Sequence, residues 1–301
     1  MSRLVIIGSA NADHVMEFSH LPEPGQTLMS RSYRLEHGGK GANQAVAVAR
    51  LVQPGTRVDF ICHLGDDAIA DTMIKSWLDD GIHPQGLKKV PEMATGSAMI
   101  FIGDGGENCI GVAAGANASL EPADVHCHQE LFEDASYLLA QLETPLESVK
   151  AALQLAKQQD TVTILNPAPA STLADDVLAL VDIITPNETE AEALTGIEVE
   201  DEAGAAKAAA ALQAKGVGAV VITLGSRGAY VRHPEFEGLV PSYPVKVLDT
   251  VAAGDTFNGA LMVALSEGLA MEQAVDFANK AASIAVTRHG AQRGIPYRRE
   301  L

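Results

Sequence analysis

The chain has 301 residues, of which 39 are acidic and 21 are basic, and its formal net charge at pH 7 is −18. This excess of negative charge disfavours non-specific binding to nucleic acid or to an anionic membrane surface, so neither partner is expected. The length allows one large α/β core, and no linker is long enough to divide the chain.

The cysteine content and the N-terminal residues predict a soluble protein of the cytoplasm. Cys62, Cys109 and Cys127 are odd in number and far apart, and they form no Cys-x-x-Cys pair. This pattern is typical of reduced thiols rather than of a disulfide framework. The apolar run at residues 4–7 is far too short for a secretion signal or a membrane span.

Apolar runs and helical patterns alternate along the chain. The continuous apolar run at residues 4–7 is typical of a strand that is covered on both faces of a sheet. Further strands are predicted at residues 57–64, 136–142, 161–165, 181–185 and 219–224. Helices are predicted at residues 44–51, 66–80, 202–215 and 257–265, with Trp77 and Leu78 among the core-facing residues of the second. This rhythm predicts an α/β protein with a mainly parallel sheet.

Two segments break this rhythm and predict a separate β-structure. Residues 15–35 alternate in short pieces that are interrupted by Pro22, Pro24 and Gly25. Residues 97–102 and 108–112 flank a glycine-rich turn, which is a hairpin signal. The two segments are expected to pair with each other and to form a flap.

A glycine-rich turn at residues 38–43 leads into the first helix. It does not have Walker A spacing, because Lys40 is followed by Gly41 and the upstream glycine is missing. One interpretation is a flexible turn with a solvated lysine. The other is a polar pocket, in which Gly39, Lys40 and Asn43 contact a ligand that lies against the backbone.

Short polar residues follow several predicted strands. Each has a plain interpretation as a turn or a helix cap, and for Asn11 and Asp13 the turn is favoured when they are taken alone. Because the carboxyl ends of parallel strands meet at one edge of a sheet, these residues are instead predicted to form one site. They are Asn11, Asp13, Glu143, Asn187, Glu190, Thr223, Gly225, Ser226, Gly228 and the segment 249–255.

The segment 249–255 is the most informative of these junctions. Ala252, Ala253 and Gly254 allow close approach of a ligand to the backbone, and a helix that begins near Asp255 directs unpaired N–H groups into the same space. These features suit an anion, although a simple acidic cap is the alternative. A phosphate bound there would lie beside the Asp255 carboxylate, which could accept a proton from an attacking hydroxyl.

Six motifs together resemble the ribokinase family of sugar kinases, and the resemblance extends nearly from end to end. The most specific is the last, Ala-Ala-Gly-Asp-Thr-Phe-Asn-Gly-Ala at residues 252–260. The others are Asn-Ala-Asp-His at 11–14, Gly-Gly-Lys-Gly-Ala-Asn at 38–43, Gln-Leu-Glu-Thr-Pro-Leu-Glu-Ser at 141–148, Asn-Pro-Ala-Pro-Ala at 166–170 and Thr-Pro-Asn-Glu-Thr-Glu-Ala-Glu at 185–192.

The resemblance implies a fold, a domain organisation and an oligomeric state. The fold is the three-layer ribokinase-like α/β fold, in which a mainly parallel central sheet is flanked by helices and carries a small β-sheet lid. Residues 1–301 form a single kinase domain, with lid segments at about 12–35 and 97–112. The family also implies a homodimer that forms through the lid.

The resemblance further implies transfer of the ATP γ-phosphoryl group to the 5-hydroxyl of D-ribose, with Asp255 as the base. Ala252, Ala253 and Gly254 would form an anion hole for the charge that develops on the transferred group. The sugar would be held by Asn11, Asp13, Gly39, Lys40, Asn43, Glu143 and Asp255. ATP would be held by Asn187, Thr223, Gly225, Ser226, Gly228, Gly254 and Asn279, the last of which replaces a histidine that is frequent in the family.

Two cations belong to the implied site. Mg²⁺ would be held through water by Glu190. K⁺ would be held largely by the backbone carbonyls of Asp249, Val251, Ala285, Arg288 and Gly290. Gly294 stands where the family commonly has a serine that reaches this cation.

Three other functions are weighed against this one. A kinase for 2-deoxyribose or another small sugar is the nearest alternative. A non-catalytic sugar sensor is disfavoured, because Asp255 and its small neighbours are all present. A nucleotide-binding oxidoreductase is not supported, because no Gly-x-Gly-x-x-Gly motif follows an early strand.

Overall fold

A large central sheet and a small second sheet form the framework of the computed structural model, which describes residues 3–301. Met1 and Ser2, which the predicted domain includes, lie outside the described residues. The strands are β1 Arg3–Ile7, β2 Asn11–Glu17, β3 Ser32–Gly38, β4 Arg57–Gly65, β5 Ile82–His83, β6 Leu87–Val90, β7 Gly96–Ile102, β8 Asn108–Ala113, β9 Ala135–Ala140, β10 Val162–Leu165, β11 Ile183–Ile184, β12 Ala219–Thr223, β13 Ala229–His233 and β14 Phe236–Val240.

The helices are α1 Lys40–Leu51, α2 Ala68–Asp79, α3 Pro122–Cys127, α4 Leu146–Gln158, α5 Asp175–Leu178, α6 Glu188–Thr195, α7 Glu202–Ala214, α8 Ala253–Ser266, α9 Met271–Ala285 and α10 Ala291–Gly294. Seven of them, α1 to α7, lie between strands along the chain, and α8, α9 and α10 follow the last strand of the described residues. Within residues 3–301, no helix combines the length and the apolar character that crossing a membrane requires.

The large sheet is mainly parallel, as predicted. Its strands follow the order β14-β13-β12-β11-β10-β9-β1-β4-β5, and β6 also pairs with β4. The pairs from β12 to β5 are parallel, and only β13 and β14 are added in antiparallel orientation at one side. Parallel pairing requires crossover connections, and helices supply them.

Helices cover both faces of this sheet, which explains why its strands are continuous apolar runs. In β1, Leu4 and Ile6 contribute to one hydrophobic core, while Val5 and Ile7 contribute to the other. The first core includes residues of α1, α2, α8 and α9, and the second includes residues of α3, α4, α6 and α7. The predicted three-layer α/β architecture is therefore confirmed.

The small sheet has the order β3-β2-β7-β8. β2 pairs in parallel with β7, and the two outer pairs are antiparallel. The predicted hairpin at residues 97–112 is confirmed, and its turn is closed by Gly103 N–H donating to the Glu107 carbonyl at 2.9 Å. We call these four strands the lid sheet.

Three local expectations were wrong. Asn11 and Asp13 lie within β2 rather than in a turn, because pairing with both β3 and β7 satisfies this backbone. The first helix begins at Lys40, not at residue 44, so the glycine-rich segment contributes its first turn. Leu78 is 44% exposed, whereas Trp77 beside it is fully buried.

The close approach of α1 to the β1–β2 connection depends on glycine. A Cβ atom at Gly41 would lie 2.5 Å from the Gly8 carbonyl carbon and 2.5 Å from the Ser9 nitrogen. Because both obstacles are backbone atoms of a buried segment, they cannot rotate away. Gly41 therefore permits the contact that positions the N terminus of α1.

We expect Gly41→Ala to lower the free energy of unfolding by about 1–3 kcal/mol, the usual cost of overpacking a core. Gly111→Ala is the control, because a Cβ at Gly111 would have no atom within 4 Å. Urea denaturation measures both variants. Equal stability of Gly41→Ala and the wild type would show that the backbone contact is not constraining.

Candidate active site

Two adjoining cavities open at the edge of the sheet where the predicted site residues converge. The smaller has a volume of about 230 Å³ and the larger a volume of about 490 Å³. They share Thr223, Thr250, Ala253 and Gly254. The remaining residues of the smaller cavity are Lys40, Asn166, Ala168, Thr185, Asn187, Glu190, Ala252, Asp255 and Asn258. The first turn of α8 thus lies between the two spaces.

Asp255 is the buried carboxylate at this junction, with 8% of its surface exposed. Its Oδ2 accepts a hydrogen bond from Asn43 Nδ2 at 2.9 Å, and its Oδ1 accepts one from Gln44 Nε2 at 3.0 Å. Burial raises the pKa of Asp255, while Lys40 and the two amide donors partly counteract that effect. A carboxylate of this kind suits a proton acceptor, because its affinity for a proton is greater than in water.

The N terminus of α8 has the geometry of an anion site. Ala252 adopts a left-handed conformation with φ of 58°, which a residue with a Cβ atom adopts only at a cost of about 1 kcal/mol. It caps a helix of 14 residues whose first-turn N–H groups have no acceptors within the helix, while the Ala253 N–H donates to the Thr250 carbonyl at 3.2 Å. A Cβ at Gly254 would meet no protein atom within 4 Å, so the space beside it is open to a ligand.

Predicted sugar-binding residues cluster around Lys40. Its backbone N–H donates to Glu143 Oε2 at 3.0 Å, and its ammonium group lies 3.9 Å from Glu143 Oε1. Nearby carboxylates, including those of Asp255 and Asp13, outweigh burial and raise the pKa of Lys40. The charged lysine therefore partly neutralises a cluster of acidic groups.

Asp13 belongs to the same cluster but is placed there by the lid sheet. Burial is the first cause that raises its pKa to about 7, and repulsion from Glu143, Glu36 and Asp255 adds to it. A Cβ at Gly38 would lie 2.0 Å from Asp13 Oδ2, so this carboxylate lies directly against β3. Gly39, with φ of 87°, brings the adjoining backbone against Asn11.

Asn11 is oriented by a residue that the sequence did not single out. Asn117 donates its Nδ2 to Asn11 Oδ1 at 2.8 Å, and its Oδ1 accepts from the Ala10 N–H at 2.9 Å. Because the oxygen of the Asn11 amide is occupied in this way, its NH₂ group remains for other acceptors.

The larger cavity contains the predicted nucleotide residues Thr223, Gly225, Ser226, Gly228, Gly254 and Asn279. It is also lined by Tyr243, Val245, Val247 and Phe257, so it combines apolar walls with a small-residue loop. Asn279 donates to the carbonyls of Val240 and Pro241 at 3.1 and 3.2 Å. The space and its lining fit a planar base at one end and phosphates near α8.

Asn187 and Glu190 form a capping box at the start of α6. Asn187 Oδ1 accepts from the Glu190 N–H at 2.8 Å, and Glu190 Oε2 accepts from the Asn187 N–H at 2.9 Å. Both side chains also line the smaller cavity. Burial raises the pKa of Glu190. The capping and the ligand-binding interpretations are therefore compatible.

The residues predicted to hold K⁺ lie in two segments that contact each other: the loop before α8, and the last residue of α9 with the loop after it. The carboxylate of Asp249 accepts from the N–H groups of Val251 and Gly290, each at 3.0 Å. The N–H group of Asp249 donates to the Val286 carbonyl at 3.2 Å, between Ala285 and Arg288. Within residues 3–301, none of the five lines either cavity, and no group of three or more His, Cys, Asp and Glu side chains could hold a metal ion.

Sequence reasoning missed several buried amides near Asp255. Gln44, Asn117, Asn166 and Gln292 are each at most 7% exposed, and they connect the predicted residues to each other. Gln44 carried a usable signal, because it interrupts a run of small apolar residues at the start of a helix. The others pair across more than 100 positions, which no local pattern reveals.

Comparison with known proteins supports a kinase class for this geometry. Residues 1–298 match the model of the pfkB family of carbohydrate kinases. A ribokinase of Haemophilus influenzae is 45% identical over 297 residues, covering 99% of this chain and 96% of that protein. A deoxyribokinase of Salmonella typhimurium is 34% identical over 294 residues, covering 97% and 95%.

A solved structure agrees with these relatives. The ribokinase of Arabidopsis thaliana complexed with ribose and ATP superposes with a TM-score of 0.91 and 32% identity, covering 99% of this chain and 97% of that one. The chain therefore belongs to the pfkB family of carbohydrate kinases. It is a sugar kinase by family, with the fold of the ribokinases.

We expect Asp13→Asn to stabilise the ligand-free protein in a pH-dependent way. The Asp13 pKa is about 7 when folded, against an ordinary value of 3.8. Above pH 4 the unfolded chain releases this proton first, so wild-type stability falls until about pH 7. The variant lacks this loss. Its free energy of unfolding should therefore exceed that of the wild type by about 1–3 kcal/mol above pH 7, while near pH 4 the two values should agree.

Urea denaturation between pH 4 and pH 8 measures this difference. The control is Asp134→Asn, at an exposed aspartate, where a surface substitution should change the free energy of unfolding by no more than about 0.5 kcal/mol. A constant difference between Asp13→Asn and the wild type across this range would mean that Asp13 is ionised throughout.

Proposed function

We propose that this protein transfers the γ-phosphoryl group of ATP to the 5-hydroxyl of D-ribose, giving D-ribose 5-phosphate and ADP. One observation carries the proposal: the buried Asp255 carboxylate lies at the N terminus of α8, between a polar cavity and a nucleotide-sized one. The two substrates would meet across this turn. The ribokinase relatives, one of them complexed with ribose and ATP, support the same pairing of substrates.

On the sugar side, Lys40 and Asp255 line the smaller cavity, and the other predicted sugar residues lie near them without lining it. Asn11 and Asn43 would offer amide groups to the sugar, and Lys40 would offer an ammonium group. Asp13 and Glu143 would accept hydrogen bonds from sugar hydroxyls. Gly39 would let the sugar lie against the backbone. The support for these roles is the clustering of Asp13, Lys40, Glu143 and Asp255 by charge and contact.

On the nucleotide side, ATP would occupy the larger cavity with its phosphates toward α8. Thr223, Gly225, Ser226 and Gly228 would contact the nucleotide from the loop after β12, and Asn279 would lie against the base. Asn187 would contact the phosphates from the smaller cavity. All six residues line one or both cavities.

In the reaction, the 5-oxygen of ribose attacks the γ-phosphorus, and the bond between this phosphorus and the β,γ-bridging oxygen breaks. The hydroxyl proton passes to Asp255, and the bond electrons leave with ADP. Negative charge grows on the transferred group, and the N–H groups at Ala252, Ala253 and Gly254 would stabilise it. This geometry requires the sugar and the nucleotide to be on opposite sides of the transferred phosphorus.

The residues present fit the two expected cations by their donor chemistry. Glu190 offers a buried carboxylate at the edge of the smaller cavity, which suits hydrated Mg²⁺. When bound, Mg²⁺ would neutralise part of the negative charge of the phosphates. For K⁺, backbone carbonyls of Asp249, Val251, Ala285, Arg288 and Gly290 would be the hard oxygen donors, although the Ala285 carbonyl already accepts from the Arg288 N–H at 3.0 Å.

Further parts of the proposal concern assembly and location. Residues 1–301 would act as a single kinase domain with the lid segments as insertions. A homodimer would form through the lid sheet, where Tyr33, Met99, Ile110 and Val112 are between 44% and 65% exposed. The cytoplasm is the expected location, because the three cysteines are free in the structure.

A kinase of 2-deoxyribose is the second candidate, and the deoxyribokinase relative is the observation that favours it. The two sugars differ only by the 2-hydroxyl. A kinase assay with ATP and each sugar, with and without K⁺, separates the candidates. The proposal expects a higher kcat/KM for D-ribose and activation by K⁺. Equal or better turnover of 2-deoxyribose would contradict it, and no turnover of any sugar would indicate a sensor.

We expect Asp255→Asn to lower kcat by about 10²- to 10⁴-fold, the usual contribution of a general base. Ribose binding should remain nearly intact, because the amide keeps the size of the carboxylate and one acceptor oxygen, while its NH₂ group would face one of the two amide donors in the free and the bound protein alike. Steady-state kinetics and ribose calorimetry measure the two effects. A near-normal kcat would exclude Asp255 as the base.

We expect Gly294→Ser to strengthen K⁺ binding by roughly two- to tenfold, since a new hydroxyl donor is worth about 0.5–1.5 kcal/mol. A Cβ at this position would lie 3.2 Å from the Ala285 carbonyl oxygen, so the added side chain would point toward one of the proposed ligands. Gly294→Ala is the control for the bulk of the Cβ. The K⁺-dependent rise in melting temperature, compared with Na⁺, measures the affinity without using activity. Identical responses of the two variants would contradict the expectation.

A further inference from the structure

A line of buried hydrogen bonds connects Asp255 to the opposite end of the first core. Trp77 Nε1 donates to Gln292 Oε1 at 3.2 Å, and Gln292 Nε2 donates to Asn43 Oδ1 at 3.3 Å. Asn43 Nδ2 then donates to Asp255 Oδ2 at 2.9 Å. The four side chains are between 0% and 8% exposed, so water does not replace any of these contacts.

The two ends of this line determine its direction. The indole N–H of Trp77 can only donate, so it requires the oxygen of the Gln292 amide. The ionised carboxylate of Asp255 can only accept, so it requires the nitrogen of the Asn43 amide. Reversing either amide would place two donors or two acceptors against each other in a buried site, at a cost of about 1–3 kcal/mol each.

We propose that Gln292 is a positioning residue for the reaction, which acts through Asn43 to hold the Asp255 carboxylate in its proton-accepting orientation. The Trp77 N–H fixes the donor-to-acceptor direction of these hydrogen bonds, and Gln292 is held in place by α10. The inference rests on the proposed function only in that Asp255 serves as the base. It adds two residues that line neither of the two adjoining cavities, although Gln292 lines a separate cavity of about 260 Å³.

Two amide donors contact Asp255, and among the described residues the hydrogen bonds through Asn43 are the ones that lead to α10. The other oxygen of Asp255 accepts from Gln44, whose own oxygen accepts from Gln141. Both branches therefore present amide nitrogens to Asp255, and both lower its pKa against the opposing effect of burial. Loss of Gln292 would leave the Asn43 oxygen without its donor, so the proposal expects Asn43 to rotate more freely and to donate less to Asp255 than Gln44 does.

The charged groups that face Asp255 bear on any pH effect. They are Lys40 from α1, Glu190 from α6, Glu143 after β9 and Asp13 from the lid sheet. None of them contacts Gln292 or Trp77 by a hydrogen bond in the described part of the chain. A substitution at Gln292 therefore changes the donors around Asp255 without removing a charge.

The test compares Gln292→Met, which keeps the side-chain length, with Trp77→Phe and the double variant. Each single change should lower kcat about tenfold, as expected for one hydrogen bond that orients a base. The acid limb of the kcat profile should move to higher pH in both. The double variant should be no worse than the poorer single variant, because the two changes break the same line.

The matched control is Phe60→Leu. The Phe60 ring packs edge-on against Trp77 at 5.5 Å between centroids, so its loss disturbs the same core without removing the N–H donor. Its kcat and its pH profile should stay within about twofold of the wild type. Effects in Gln292→Met that equal those in Phe60→Leu, or additive effects in the double variant, would overturn the proposal.

A second measurement uses the fact that Trp77 is the one tryptophan in the sequence. Its indole N–H gives a single NMR signal, which should move upfield in Gln292→Met and should respond to D-ribose in the wild type. An indole signal that does not move in Gln292→Met and does not respond to D-ribose in the wild type also overturns the proposal, even if another variant fails to fold. If the wild type does not phosphorylate ribose, the proposed function fails, while the signal of Gln292→Met still tests the line of hydrogen bonds.

Discussion

The buried Asp255 carboxylate, which would have to exchange a proton to act as the proposed base, is the constraint on which the rest of this account depends. Desolvation alone would leave Asp255 protonated and unable to act as a base. Two amide nitrogens and the ammonium group of Lys40 oppose that effect. All three come from the first turns of α1, so the position of that helix governs the chemistry at α8. The glycines of residues 38–41 matter because they allow α1 to begin so close to the β1–β2 connection.

The same turn of α8 is also the boundary between the two cavities. Gly254 leaves space for a ligand and Ala252 accepts a left-handed backbone, so the protein gives up local stability to open this end of the helix. The lid sheet adds Asp13 to a region that already holds Glu143 and Asp255. These carboxylates therefore repel one another, and hydroxyl donors from a sugar would relieve part of that repulsion.

Much of the architecture was predictable because burial on both faces leaves a clear pattern. Runs such as residues 4–7 indicate parallel strands, and the junctions after them indicate one shared edge. Local patterns were less informative for Asn11 and Asp13, which read as a turn but lie in a strand, because their pairing partners are distant in sequence. For Glu190 the sequence allowed two interpretations, and the structure contains both features: the side chain caps α6, and it lines the smaller cavity.

The supporting amides could not be predicted. Gln292 is 249 positions from Asn43, and Asn117 is 106 positions from Asn11, so nothing in either neighbourhood indicates the pair. The sequence predicted residues that the fold brings together at this edge of the sheet, while the residues that hydrogen-bond to them became visible only in the folded chain. The hydrogen bonds that support the site therefore depend on the fold as much as on the motifs.

The most direct test of this account is a crystal structure with D-ribose and a non-hydrolysable ATP analogue. The account predicts the ribose 5-hydroxyl within about 3 Å of an Asp255 oxygen, the reach of a hydrogen bond. It also predicts the terminal phosphate at the first turn of α8, near Gly254. A 5-hydroxyl directed away from Asp255, or phosphates that end outside the two cavities, would contradict it.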